Sequence, residues 1–214
     1  MLHEEILTPE TSKLLKRIMQ DDTFKNFILV GGTAISLFLG HRKSIDLDLF
    51  TPEDFSSQEL EDYLSEEYGF VESFRAKNTL KGTIDGVFID CITYKYPLSQ
   101  PIINEDQIRI CSLADISAMK LSAITDSGSR LKDFVDIACI STRLSLNDML
   151  NAYTMRFKSS NYISTLKALV YYDDIKGDEP IILLKGKYDF RLIDKRIRDM
   201  IKQPSFVFST YPFK

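Results

Sequence analysis

Two aspartates, Asp46 and Asp48, are spaced so that they could act together in chemistry. They lie in residues 44–50, where the pattern predicts a strand, and side chains alternate along a strand, so both carboxylates project from one face. Neighbouring carboxylates repel each other unless a divalent cation lies between them, and Mg²⁺ prefers such oxygen ligands together with phosphates. The alternative is a strand face whose acids are simply solvated. The residues that this strand would turn towards the core are Ile45, Leu47 and Leu49.

A pair of glycines lies upstream of these acids. Gly31 and Gly32 follow a short apolar run, residues 27–30, and precede a predicted helix over residues 33–39 that ends at Gly40. Glycine lets the backbone approach a phosphate closely, and a helix N-terminus offers unpaired N–H groups to an anion. A tight turn is the alternative for the pair alone. Because the aspartates follow within about fifteen residues, a joint site for a triphosphate and a metal explains both features better.

A third carboxylate, Asp90, is the one acid inside the otherwise apolar residues 86–92. Burying an unpaired charge is costly, so either a metal or a cationic side chain must be its partner. The preceding Asp85-Gly86 pair is typical of a hairpin turn, and we assign Asp85 to that turn.

The predicted elements form a mixed sheet followed by helices. Thr8-Pro9 begins a helix that ends near Asp22, and a further helix covers residues 52–68 up to Gly69. Strands are expected over residues 71–80 and 82–96, with a break at the hairpin turn. We therefore predict an α+β fold with a sheet-containing core in residues 1–105 and a mainly helical part in residues 106–214. The helices expected in the second part cover 114–125, 131–143, 146–157, 163–172 and 191–202, with a loop at 177–180.

Composition limits the classes of function. The formal charge of −4 and the pI near 5.3 make a generally basic protein that coats nucleic acid unlikely. The three cysteines, Cys91, Cys111 and Cys139, have no CxxC spacing and lie in apolar surroundings, as buried thiols in a reducing compartment do. Neither a membrane span nor a signal peptide is expected, so the prediction is a cytoplasmic protein.

Two blocks of sequence resemble the AbiEii/AbiGii toxin group of nucleotidyltransferases. The resemblance covers roughly residues 25–145, and the last seventy residues or so contribute nothing to it. It implies a polymerase-β-like nucleotidyltransferase fold, with a small mixed sheet flanked by helices and a helical part after it, and it implies a toxin of a two-gene toxin–antitoxin system. The first block is Gly31-Gly32-Thr33 with His41-Arg42-x-Ser44-x-Asp46-x-Asp48-x-Phe50, and the second is Met119-Lys120-Leu121-x-Ala123 with Ser129-Arg130-x-Lys132-Asp133-Phe134-x-Asp136.

The resemblance also implies roles for the residues of a site. A hydroxyl would attack the α-phosphate of a nucleoside triphosphate (NTP) with Mg²⁺, or Mn²⁺ in its place, as the cofactor. Asp46 and Asp48 would bridge the metals and Asp90 would hold the one that activates the hydroxyl. Lys120 would neutralise the triphosphate, unless it belongs to a solvated helix face. The phosphate seat would comprise Gly31, Gly32, Thr33, Arg42 and Ser44, while Asp133 and Asp136 would orient Lys120 or the nucleotide, unless they form a surface ion-pair cluster.

The acceptor and the partners stay open at this level. The 3′ end of transfer RNA is the first expectation for the acceptor, and a protein hydroxyl is the alternative; a nucleotide-binding protein without transfer activity is a further one. A cognate antitoxin protein is an expected partner, but not a membrane. Residues 185–202 suggest either a stripe for RNA or an amphipathic helix with Phe190, Leu192, Ile193, Ile197 and Ile201 turned inward. Their basic residues are Lys185, Lys187, Arg191, Lys195, Arg196, Arg198 and Lys202.

Overall fold

A computed structural model describes residues 2–158, 162–176 and 180–214 of the chain. Within these residues the chain forms eight α-helices and seven β-strands. In chain order they are α1 (Pro9–Gln20), β1 (Ile28–Val30), α2 (Gly31–Leu39), β2 (Leu47–Thr51), α3 (Ser57–Tyr68), β3 (Val71–Ala76), β4 (Thr79–Ile84), β5 (Val87–Thr93), β6 (Ile103–Glu105), β7 (Ile108–Ile110), α4 (Leu113–Asp126), α5 (Leu131–Ile140), α6 (Leu146–Arg156), α7 (Tyr162–Ala168) and α8 (Phe190–Lys202).

The strands form one mixed sheet in the order β3-β4-β5-β2-β1-β7-β6. The central pair β2 and β5 is parallel, as is β1 with β7, and the other neighbours are antiparallel. Helix α4 contacts α2, α5, α6 and α7, so it is the centre of the helical side of the molecule. This arrangement confirms the expected α+β class, with a mixed sheet flanked by helices.

Capping residues set the ends of several helices where the sequence indicated them. The Thr8 side chain accepts a hydrogen bond from the Thr11 N–H at 3.2 Å, and Pro9 is the first residue of α1. Gly40 and Gly69 end α2 and α3 in the left-handed conformation, which glycine adopts without steric cost. Asp85 and Gly86 form the turn between β4 and β5 with positive φ at both residues, as predicted.

Other boundaries differ from the prediction. Residues 71–80 form parts of two strands, because the chain turns at Lys77-Asn78 with a positive φ at Asn78. Helix α3 begins at Ser57 and not near Pro52, since the Ser56 side chain caps it. A second unexpected hairpin, β6–β7, turns at Asp106-Gln107, both with positive φ. The division of the chain near residue 105 stays a prediction; β7, which pairs with β1, ends at Ile110.

Residues 180–184 have no helix or strand of their own but contact the loop after α2. Lys43 N–H donates to the Ile182 carbonyl at 2.9 Å and Leu184 N–H to the His41 carbonyl at 3.1 Å. The expected loop at 177–180 lies outside the described residues except for Pro180. In the described part of the chain, none of the helices is long and apolar enough to cross a membrane.

Candidate active site

The glycine pair begins α2 and is closely covered by other site residues. Gly31 has a φ of +72°, and a Cβ atom there would overlap the carboxylate of Asp48. A Cβ atom at Gly32 would collide with the Arg42 guanidinium and approach the Ser44 hydroxyl. No side chain at the N-cap, Val30, satisfies the first N–H groups of the helix. The absence of a Cβ atom at both glycines thus lets Asp48 and Arg42 approach the start of α2.

The two aspartates of the pair differ in their surroundings. Strand β2 begins at Leu47, so Asp46 lies just before it and is exposed, whereas Asp48 lies within the strand and is partly buried. Leu47 and Leu49 are fully buried in the core, as expected. Ile45 was expected there as well, and this is wrong, because its side chain is 44% exposed in the loop ahead of the strand.

Asp90 lies beside Asp48 in the sheet. The two residues are register partners on the parallel strands β2 and β5, so their side chains project from the same face. The Asp90 carboxylate is paired with the ammonium group of Lys81 on β4, which is its register partner on the other side. Of the two expected partners for Asp90, a metal or a cationic side chain, the structure shows the cationic side chain. Among the described residues, no three His, Cys, Asp or Glu side chains converge closely enough to hold a metal as they stand.

The electrostatics of Asp48 reflect this crowding. Burial raises the pKa of Asp48 most, Lys120 lowers it, and the nearby carboxylates of Asp90 and Asp46 raise it further, to about 6. A bound cation would offset the repulsion between Asp48 and the two neighbouring carboxylates and would favour the ionised form of Asp48. The donor chemistry here therefore fits a hard divalent ion.

Lys120 on α4 is buried and held by two carboxylates of α5. Its Nζ donates to Asp133 Oδ1 at 2.5 Å and lies 3.1 Å from Asp136 Oδ2. Arg42 contacts Asp136 through two hydrogen bonds, from Nε to Oδ1 at 2.7 Å and from Nη2 to Oδ2 at 2.8 Å. His41 Nε2 lies 2.9 Å from Asp136 Oδ1. The surface alternatives for Lys120 and for the two acids are wrong, because all three side chains are buried.

The ionisation states of the groups in this buried cluster depend on their neighbours in the cluster. Burial alone would raise the pKa of Asp136, but Arg42 and Lys120 hold it well below its usual range. Burial would lower the pKa of Lys120, yet Asp136 and Asp133 raise it, so the ammonium stays charged. Burial lowers the pKa of His41 despite its bond to Asp136. Among the described residues, His41 Nδ1 has no hydrogen-bond partner. The imidazole is therefore neutral, with its proton on Nε2, where it donates to the carboxylate.

These groups surround one cleft of about 190 Å³. It brings together most of the predicted site residues, namely Gly31, Gly32, Arg42, Ser44, Asp46, Asp48, Lys120 and Asp133. Three others do not line it. Thr33 is buried, and its hydroxyl donates to the backbone carbonyl of Asp46; Asp136 lies beneath the cleft, and Asp90 lies beside it.

Sequence reasoning missed further residues of the cleft. Arg130 and Lys132 lie at the start of α5 and line the cleft. Both belong to the second block that carried the resemblance, so the signal for them was available. The cleft also has an apolar wall, formed by Phe50, Ile116, Met119 and Ala123. No comparable signal in the sequence indicated this wall, because an apolar residue that lines a cavity has the same sequence pattern as one packed in the core.

The basic segment 185–202 forms an amphipathic helix in its second half. Ile193 and Ile197 of α8 are buried, as the amphipathic-helix interpretation predicts, and so is Met200, whereas Phe190, Leu192 and Ile201 are only half-buried. Three of its basic residues are neutralised nearby, in the pairs Arg191–Asp189, Lys195–Asp199 and Arg198–Asp194. Arg196 stacks 4.1 Å over the Phe208 ring. The segment thus offers less free positive charge than its composition suggests.

The three cysteines are buried, as expected, and unpaired.

Comparisons with known proteins agree with the fold. The family profile "Nucleotidyl transferase AbiEii toxin, Type IV TA system" matches residues 13–205. A relative from Aquifex aeolicus (strain VF5), the uncharacterized protein aq_aa25, is 32% identical over 181 residues, which cover 80% of this chain and 86% of the relative. The structure is similar to MenT4, the nucleotidyltransferase toxin Rv2826c of Mycobacterium tuberculosis H37Rv, with a TM-score of 0.63 at 14% identity over 89% of this chain and 80% of that chain. This structural likeness confirms the expected nucleotidyltransferase fold.

Proposed function

Because this chain belongs to the AbiEii nucleotidyltransferase toxin family of type IV toxin–antitoxin systems, we propose that it transfers a nucleotide from an NTP to the 3′-terminal hydroxyl of transfer RNA. The observation that carries the proposal is the single cleft in which the start of α2, the acids Asp46 and Asp48, and the cation Lys120 meet. Pyrophosphate is the leaving group, and a cognate antitoxin protein is the partner that holds the activity in check.

The phosphates of the NTP bind at the glycine pair. There the first N–H groups of α2 are unsatisfied by the N-cap side chain, and the positive end of the helix dipole favours an anion. Lys120, Arg130 and Lys132 add positive charge around the same cleft. Lys120 is held in place by Asp133 and Asp136, so it meets the phosphates without first being ordered.

The acids accommodate the divalent metal. Mg²⁺, or Mn²⁺ in its place, would supply charge neutralisation at the α-phosphate and a lowered pKa for the attacking hydroxyl. Asp46 and Asp48 would hold it from β2 and the loop before it. Asp90 would join them from β5, where Lys81 now neutralises its carboxylate. Asp48 is the residue most affected, since its raised pKa falls again once a cation is beside it.

The acceptor approaches from the side of Asp90. On the same sheet face, Phe88 lies two residues before Asp90 on β5 and is 56% exposed, and Phe74 is the register partner of Lys81 on β3 and is 51% exposed. Exposed aromatic side chains are platforms on which unpaired bases stack. A single-stranded RNA end fits such a surface, and this supports the transfer RNA acceptor over a folded protein.

The acceptor is tested with transfer RNA whose 3′-terminal ribose has been oxidised by periodate. Purified protein is incubated with each α-³²P-labelled NTP, Mg²⁺, and either intact or oxidised transfer RNA. Label on intact RNA and none on oxidised RNA is the expected result. Equal labelling of both would place the transfer elsewhere on the RNA, and label on protein would replace the RNA acceptor by a protein hydroxyl.

A further inference from the structure

A second cavity of about 180 Å³ adjoins the catalytic cleft. Phe50 and Met119 line both cavities, so the two are neighbours that share this part of their walls. The second cavity is mostly aromatic and apolar, and its wall includes Tyr94, Tyr96, Leu98 and Arg156. We call it the aromatic pocket.

The rings of this pocket are packed against one another. Phe50 and Tyr94 stack with their centroids 5.1 Å apart and their planes at 25°. Tyr96 lies 5.1 Å from Tyr94 and is 52% exposed. The guanidinium of Arg156 lies 4.7 Å from the centre of the Tyr94 ring. Stacked rings with a cation beside them form a surface that suits a flat, polarisable ring system.

Arg156 is buried and fixed, and it retains a free donor. Its Nη1 contacts Asp115 Oδ1 at 3.1 Å and the Pro97 carbonyl at 3.2 Å, while its Nε has no hydrogen-bond partner among the described residues. Asp115 also accepts hydrogen bonds from the Ser99 N–H at 2.7 Å and the Gln100 N–H at 3.1 Å. The loop that closes the pocket is therefore tied to the same buried ion pair, and the pocket is formed before any ligand binds. A buried donor without a partner is costly, and a ligand acceptor relieves it.

The distance from the glycine pair suits one ligand that occupies both places. Ile28 lines the aromatic pocket, and Gly31 begins the phosphate seat, three residues further along the same chain segment. At roughly 3.3 Å per residue in a strand, the two are about 10 Å apart, with Asp48 between them on the neighbouring strand. A nucleotide whose terminal phosphates lie at the glycine pair is long enough to place its base in the aromatic pocket.

We propose that the aromatic pocket binds the nucleobase of the NTP, and this rests on the proposed function. Phe50 and Tyr94 supply the stacking surface, and Arg156 supplies a donor to an acceptor atom on the edge of the base. The pocket thereby determines which base is transferred, while the phosphate seat binds all four nucleotides alike.

Binding without turnover tests this directly. The probes are the α,β-methylene analogues of the four NTPs and inorganic tripolyphosphate, each titrated calorimetrically in Mg²⁺ without RNA. Tyr94→Leu keeps an apolar side chain but removes the ring, and the matched control is Tyr171→Leu, which changes a tyrosine that is 51% exposed and outside the pocket. Tyr96→Leu, at the exposed rim, serves if Tyr94→Leu does not fold.

The wild type is expected to bind at least one nucleotide analogue more tightly than tripolyphosphate. Tyr94→Leu should lose about fivefold or more of that affinity, as expected for a lost stacking contact, with tripolyphosphate binding unchanged, and Tyr171→Leu should match the wild type. Unchanged nucleotide affinity in Tyr94→Leu would overturn the inference and leave the proposed function standing. If Tyr94→Leu keeps its nucleotide affinity and a separate transfer assay shows a raised KM for transfer RNA, the base in the pocket is the acceptor's and the assignment is wrong. If the wild type binds neither probe, the phosphate seat itself fails, and the proposed function with it.

Discussion

The carboxylate of Asp48 lies against the Cα of Gly31, in the space that a Cβ atom at residue 31 would need. This contact joins the phosphate seat at the start of α2 to the acid on β2. It brings two short motifs that are separated by a helix and a loop into direct contact. The glycine is needed for its size as well as for its backbone conformation.

Replacing Gly31 with alanine therefore damages the site twice. The left-handed backbone at φ +72° becomes strained, and the methyl group displaces Asp48. Strain of this kind costs about 1–3 kcal/mol, and a displaced catalytic group costs about a hundredfold in rate. The matched control is Gly69→Ala, which has a φ of +67° but nothing within 4 Å of the new Cβ. Urea denaturation should show a loss of stability from strain in both variants and a further loss in Gly31→Ala from the overlap with Asp48. Transfer assays should show a loss of activity in Gly31→Ala alone. Full activity in Gly31→Ala would contradict the contact's role.

Asp136 is expected to be the most sensitive residue of the buried cluster. Asp136→Asn removes the negative charge that Arg42 and Lys120 share, and breaking a buried pair costs about 3–5 kcal/mol. Asp199→Asn removes the partner of the exposed Lys195 and should cost about 0.3–0.5 kcal/mol. Chemical denaturation at pH 7.5 compares the two. Equal, small losses would mean that the cluster contributes little to the folded state.

The pKa of Asp48 predicts a stabilising substitution. Its folded-state pKa of about 6 lies above the ordinary value of 3.8, so the folded protein binds this proton more tightly than the unfolded chain, and ionisation destabilises the fold as the pH rises from about 4 to 6. Without metal, Asp48→Asn should thus be about 1–2 kcal/mol more stable than the wild type at pH 7.5 and equal to it near pH 4. Mg²⁺ should raise the melting temperature of the wild type but not of the variant. Stabilisation of both proteins by Mg²⁺ would place the ion elsewhere.

His41 predicts an opposite pH dependence. The pKa of His41 in the folded state is lowered from 6.5. Below pH 6.5 the imidazole is therefore protonated in the unfolded chain but stays neutral in the folded protein, and the folded protein loses stability as the pH falls. His41→Gln keeps a donor for Asp136 but cannot be charged. Relative to the wild type, this variant should therefore gain stability between pH 7 and pH 5, as measured by urea midpoints at several pH values. A constant difference across that range would show that the imidazole is not held neutral.

Local sequence patterns predicted most helices and strands and the acids of the site, but they did not predict the long-range contacts. Asp85-Gly86 indicated its turn because a glycine follows the aspartate. Lys77-Asn78 and Asp106-Gln107 turn without a glycine, so the single Asn or Asp in each was only a weak signal. The spacing of the two aspartates predicted a shared strand face; both line the cleft, but Asp46 lies before the strand and not within it as expected. The bond between His41 and Asp136 joins residues 95 positions apart, and the pairing of Asp90 with Lys81 depends on strand register. Neither follows from local composition.

The proposed activity is tested by nucleotidyl transfer with the wild type beside Asp46→Asn/Asp48→Asn. Each protein is incubated with the four α-³²P-labelled NTPs in turn, with Mg²⁺ and total transfer RNA, and the labelled products are separated. Labelled RNA is expected with the wild type and none with the double variant, although the latter remains folded. Equal labelling by both proteins, or none by a wild type that binds nucleotide, would contradict the proposed activity.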